Sequence, residues 1–365
     1  MNVRFETRGL GRAARLLALC ALLLTGCGAQ PRPPEHAYRA FLDQAFEHLA
    51  SDYDALAERA RAQQGAVEQL CQPDVDPASA LREAHAAFEA LVAAWSRVEW
   101  LRLGPVATDH RYERLFYWPD RGLRGRRQLA RFIAELGPGQ LDRDGLATKS
   151  VALQGLSALE YVLYADPPTI RAESAQCVAA RPMAALVSEV TASLARDWRS
   201  ERTLAAALSR TDEPLSEERA LGKTMQEAAS ALTLAADGKI GRAMGEQASA
   251  ARPALAPFSR SSLAARAIGA MVGSLHEMLG DEFQRLLPED SRYVGAGMLR
   301  ELEDVQFHLG VLAEAGTWER VVRDEEHRKR LRYLRQPLLS AHNGLSTGLT
   351  GALGLSAGFN STDGD

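Results

Sequence analysis

The segment LREAHAAFEALVAAWSRVEWLRLGP, residues 81–105, carries the pattern that decides the fold. Leu81, Ala84, Phe88, Leu91, Trp95, Val98 and Leu101 step by three or four residues. That spacing lays an apolar stripe along one face of an α-helix. Ala, Leu, Arg and Glu fill the rest, and all four are good helix formers. Gly104-Pro105 predicts the stop, because proline cannot continue the hydrogen-bond ladder and restricts the residue before it.

The same spacing recurs on both sides. Tyr38, Phe41, Ala45, Leu49, Tyr53, Leu56 and Ala60 form one stripe; Met183, Leu186, Val190, Leu194 and Trp198 form another. No sustained period-two run enriched in β-branched residues competes with them. Helices are expected over 127–136, 147–164, 178–199, 216–237, 260–280, 291–315 and 323–346. Residues 73–79 break the first helix from the second, and 106–127 read as irregular and aromatic-rich. The polar run SRTDEPLS, 209–216, reads as a join. The fold class is therefore all-α, with helical-bundle-like halves over 36–208 and 209–365.

The chain has 365 residues, 46% hydrophobic and 25% charged, enough for a large core. Its net charge of −4 argues against nucleic-acid binding driven by bulk charge. Arg4, Arg8, Arg12 and Arg15 precede the apolar run Leu16–Leu24, which is too short for a finished membrane span. The run ends in Leu24-Thr25-Gly26-Cys27, which resembles a bacterial lipoprotein signal. The expectation is a signal peptide over 1–26, lipidation at Cys27 and a tether over 27–35. An uncleaved anchor or a non-lipidated signal is the alternative. No aspartate follows Cys27, which by lipoprotein sorting rules favours the outer membrane, with the body facing the periplasm. Cleavage would remove those arginines and Glu6, leaving a mildly acidic body.

Of the four cysteines, Cys20 lies in the signal and Cys27 is the expected lipid site. An even remainder, Cys71 and Cys177, in an oxidising compartment suggests a disulfide; two buried free thiols are the alternative.

Common catalytic signatures are missing: HExxH, CxxC and the phosphate-binding P-loop. His276-Glu277 lacks a second histidine on its face. Four segments stand out: WSRVEWLRLGP at 95–105, FYWPD at 116–120, GLSALEY at 155–161 and GFNSTDGD at 358–365. Together with Ser259-Arg260-Ser261-Ser262, in this order, they resemble the imelysin-like family of exported bacterial proteins, some linked to iron supply. The resemblance covers roughly 36–365 and implies an all-helical fold with a site near the interface of two bundle-like halves. Cys71 and Cys177 fall where several relatives carry cysteines. The family hallmark is GxHxxE, once taken as a metallopeptidase signature. Here Gly155, Ser157 and Glu160 match it, with serine in place of histidine. A neutral hydroxyl is a poor ligand for a transition metal.

Ser157, Glu160, Tyr161 and Tyr164 share one helical face. A buried Glu160 needs a partner, and Arg102 or Arg260 could supply it, as a ligand site or as a structural ion pair. Glu99 and Arg102 could pair along their helix. Asp120 could cap the following helix or hold a turn. The tryptophans at 95, 100 and 118 read as core, with a ligand platform as the alternative. Asp363 and Asp365 offer hard oxygen ligands, or form a free acidic tail.

The reading that follows is a non-enzymatic lipoprotein binding a ligand or metal, iron or a hard divalent cation, with iron-uptake or other envelope proteins as partners. The candidate ligand set is Glu160, Ser157, Glu99, Arg102, Asp120 and Arg260; Glu160, Asp363 and Asp365 are the weaker metal set. A metallopeptidase and an envelope scaffold are the alternatives.

Overall fold

A computed structural model describes residues 35–355, apart from 138, 140, 167 and 212. The signal, Cys27, its tether, Asp363 and Asp365 lie outside the described residues. Among those described, every regular element is helical.

The long helices are α1 (Glu35–Leu70), α2 (Pro77–Val98), α3 (Arg124–Glu135), α4 (Gly155–Leu163), α5 (Ala175–Ser200), α6 (Glu217–Thr233), α7 (Ala264–Met278), α8 (Arg292–Ala313) and α9 (Glu325–Asn343). α2 shows why the sequence gives these elements. Asp76 caps it, accepting from the Ser79 N–H at 3.0 Å, and Pro77 occupies its first turn. Its stripe (Ala84, Phe88, Leu91, Trp95 and Val98) is fully buried. Each large apolar side chain contributes about 1.5–3 kcal/mol by leaving water. After α2 the chain turns at Gly104, whose φ of +74° suits glycine and where an added Cβ would lie 2.9 Å from the Ala207 carbonyl oxygen.

Packing runs in a closed circuit. α1 lies against α2, α2 against α7, α7 against α8, α8 against α9, α9 against α6, and α6 returns to α1. On its other side α1 packs on α5, and α5 on α4. α5 is long and apolar enough to cross a bilayer, yet most of its apolar window is buried, as in the core helix of a compact protein. Cys71 and Cys177 form a disulfide joining the end of α1 to the start of α5 across 106 residues. Closing a loop of that length is worth roughly 4–5 kcal/mol in the chain-entropy account.

Several sequence expectations need correction. The helix expected over 147–164 breaks at Gly155, so only Gly155–Leu163 is α-helical, preceded by a short 3₁₀ turn at Val151–Leu153. The one expected from 260 begins at Ala264, because Phe258 and Ser262 take left-handed backbone. Within the supposedly irregular 106–127, Arg111–Leu115 forms a short helix. α6 does not stop near 237 but passes into a π-helical stretch, Leu234–Gly241.

Candidate functional site

Gly155 sets the position of α4. Its φ is +73°, and a Cβ there would lie 2.4 Å from the carbonyl oxygens of both Arg114 and Leu115. Only glycine lets α4 start pressed against that backbone. From this start Leu156, Leu159, Val162 and Leu163 point into the core, and Glu160, 7% exposed, is carried in with them.

Ser261 satisfies that carboxylate. Its backbone N–H and its hydroxyl both donate to Glu160 Oε1, each at 2.8 Å. Both bonds fall on one oxygen, which leaves Oε2 to the cavity that Glu160 lines. Burial pushes the Glu160 pKa up; the two Ser261 bonds and the nearby Arg126 and Arg260 only partly offset it. The left-handed residues Phe258 and Ser262 shape the turn that presents Ser261.

The cavity measures about 60 Å³, room for a few waters or one small polar head group. Trp118, Asp120, Arg126, Ser157, Glu160 and Arg260 are among its walls, so segments from both halves of the chain meet there. Trp118 joins them directly: its Nε1 donates to the Leu255 carbonyl at 3.0 Å. Phe116 stacks on Phe258 at 5.0 Å between ring centroids. Trp95 and Trp100 are core, as expected, whereas Trp118 is only partly buried and faces the cavity.

Asp120 caps α3. Its carboxylate accepts from the N–H groups of Gly125 at 3.0 Å and Arg126 at 2.9 Å, where the helix dipole favours negative charge. Ser157 donates to the Tyr117 carbonyl at 3.2 Å. Arg260 lies over the Tyr161 ring at 4.5 Å and donates to the Tyr164 carbonyl at 3.2 Å. Burial, and next the Arg126 guanidinium, hold Arg260 below the usual arginine value.

Glu99 and Arg102 are not part of this cavity. α2 ends at Val98, so the two do not pair along a helix. Glu99 is buried and takes its ion pair from Lys239, itself fully buried on the π-helical stretch. Arg102 lies over Tyr112 at 4.5 Å, and its backbone N–H donates to Glu227 at 2.9 Å. Of the two arginines considered as partners for Glu160, Arg260 is therefore the one at the site. Sequence reasoning missed Arg126, Lys239 and the role of Ser261. The SRSS motif was the only signal pointing toward Ser261.

Among the described residues no three His, Cys, Asp or Glu side chains gather closely enough to hold a metal ion. Glu160 and Asp120 face one cavity, but Asp120 is committed to the α3 N-terminus and Ser157 to a carbonyl. A metal there would need donors beyond these two carboxylates; Asp363 and Asp365 lie outside the described residues.

Fold and cavity together define an all-helical protein with a small charged cavity where the two halves of its sequence meet. The family described as Imelysin matches residues 30–343, and the chain belongs to that family. Its fold is similar to the crystal structure of an imelysin-like protein from Psychrobacter arcticum 273-4. The TM-score is 0.74 at 17% identity, over 89% of this chain and 98% of that one. No curated protein matches the sequence.

Proposed function

We propose that this is a non-enzymatic binding protein of the cell envelope, anchored through lipid on Cys27, facing the periplasm from the outer membrane, and holding a small ligand in the Glu160 cavity. The observation that carries the reading is a buried carboxylate turned toward a water-accessible cavity whose charged side chains form no salt bridge with one another among the described residues. The lipoprotein-type N-terminus supports the envelope location. A metallopeptidase needs a metal that polarises a carbonyl or activates water. Against it stand Ser157 at the histidine position of the family motif and a hydroxyl already spent on Tyr117.

A metal-binding reading connected with iron supply is the second possibility. Glu160 and Asp120 lining one cavity favour it, provided the acids at 363 and 365 complete the site.

The test is to purify the protein from its native envelope and analyse what accompanies it, metals by elemental analysis and small molecules by mass spectrometry. A Ser157→Phe variant, which fills the cavity, serves as the comparison. A companion present with the parent and lost from the variant supports the reading. The same companion with both, or none with either, rejects it. Cys27→Ser should move the protein from the membrane fraction to the soluble fraction if the anchor is as proposed.

A further inference from the structure

Arg126 and Arg260 carry an inference about the ligand itself, which rests on the cavity being a binding site. Both line it. Neither forms an ion pair among the described residues, whereas Arg39, Arg111, Arg199 and Arg266 each do. Arg126 is close enough to disfavour the charge on Arg260. Guanidinium stays protonated in proteins, so this repulsion is not relieved by losing a proton. Nearby carboxylates relieve it only in part: Glu160 and Asp166 favour the Arg260 charge without reaching salt-bridge distance. Asp120 is spent on the N–H groups of Gly125 and Arg126 at the α3 N-terminus. Glu160 gives one oxygen to two Ser261 donors, and burial favours its neutral form. A neutral Glu160 can also donate a hydrogen bond toward the cavity.

We infer that the cavity binds a small oxyanion, a phosphate, sulfate or carboxylate group, held between the guanidinium groups of Arg126 and Arg260. Guanidinium forks match the oxygens of these groups, and charge-assisted bonds of this type are the strong ones. The volume of about 60 Å³ suits one such head group with little else. Tyr117, Trp118, Tyr161 and Phe258 wall it with aromatic surface, which limits the water that would otherwise screen the charges.

The experiment is calorimetric titration of the intact mature protein with inorganic phosphate, sulfate, acetate and phenyl phosphate, with calcium chloride as the cationic probe. The expected result is saturable binding of at least one oxyanion, weakened at least tenfold in Arg126→Met and in Arg260→Met. Arg260→Lys should keep part of the affinity, and Glu160→Gln should bind the anion as tightly as the parent or more so. Thermal melts confirm that each variant is folded. Inorganic phosphate against phenyl phosphate separates a free anion from the head group of a larger molecule. No heat with any oxyanion, arginine variants that bind like the parent, or calcium binding abolished by Glu160→Gln would overturn the inference. If a companion still disappears on filling the cavity while no oxyanion binds, the anion class alone is wrong.

Discussion

Glu99 and Glu160 are both buried glutamates, 3% and 7% exposed, yet their surroundings differ in kind. Glu99 meets a single buried cation, Lys239, contributed from 140 residues away. Burial pushes the Lys239 pKa down, and Glu99 offsets this only in part. Glu99 Oε2 has no hydrogen-bond partner among the described residues, and the pair borders packed side chains such as Met271. Glu160 instead meets neutral donors on one oxygen and a cavity on the other, with two arginines nearby but neither in contact as an ion pair. One region is a closed electrostatic joint between α2 and the π-helical stretch. The other is an open arrangement with positive charge to spare. A buried carboxylate is thus no functional signal by itself. What distinguishes a site is whether its neighbours are already committed to one another.

The largest effect should come from breaking the closed joint. Lys239→Met leaves Glu99 buried and unpaired, a loss of about 3–5 kcal/mol. The double variant Glu99→Leu with Lys239→Met should return to within about 2 kcal/mol of the parent, since removing both charges avoids the stranded one. Chemical denaturation measures both. A double variant as unstable as the single would mean that shape at this position, not charge pairing, sets its stability.

Next comes the scaffold of the open site. Gly155→Ala puts a Cβ against the carbonyls of Arg114 and Leu115 at a backbone angle that disfavours alanine. A cost of at least about 2 kcal/mol is expected. Because Gly155 starts α4, a shifted helix should also weaken whatever binds beside Glu160, which a titration on the folded variant reads.

Sequence alone revealed much of the helical framework and part of the site. The stripes on α1, α2 and α5 were legible because periodicity is local, and so was the break over 73–79; the stop read at Gly104-Pro105 falls late, since α2 ends at Val98. Glu160 could be placed on a buried face for the same reason. Its partner could not. Ser261 donates only because Phe258 and Ser262 bend the chain through left-handed backbone, and none of these residue types announces that conformation. Lys239 sits in AADGKIG, where a lone lysine normally reads as solvent-facing; the π-helical stretch carries it inward. Arg126 lies among several arginines in RGRRQ, and nothing in its own sequence context separates the one that faces a cavity from those that face water.

Removing one donor to Glu160 is the third test. Ser261→Ala deletes the hydroxyl bond and keeps the backbone one. Bonds to a charged group are worth about 1.5–3 kcal/mol and those to a neutral one about 0.5–1.5 kcal/mol. The size of the loss at pH 7 therefore reports the form in which Glu160 is held, and a value in the lower range marks the neutral carboxyl that sets it apart from Glu99.

The smallest effect, and the one that separates the two glutamates most cleanly, is the pH dependence of Glu160→Gln. Burial raises the folded-state pKa of Glu160 above its unfolded value. Between those two values the folded protein binds more protons than the unfolded chain, so this residue's contribution to stability declines as pH rises, and the full penalty stands above both. Glutamine cannot ionise, and its carbonyl oxygen still accepts from Ser261. The variant should match the parent, or fall slightly below it, near pH 4, and gain relative to the parent by up to about 1 kcal/mol as the pH is taken to 8. Denaturation curves at pH 4, 6 and 8 decide it. A difference independent of pH, or one that favours the parent increasingly at high pH, would show that Glu160 is held as a charged partner like Glu99, and the contrast between the two regions would collapse.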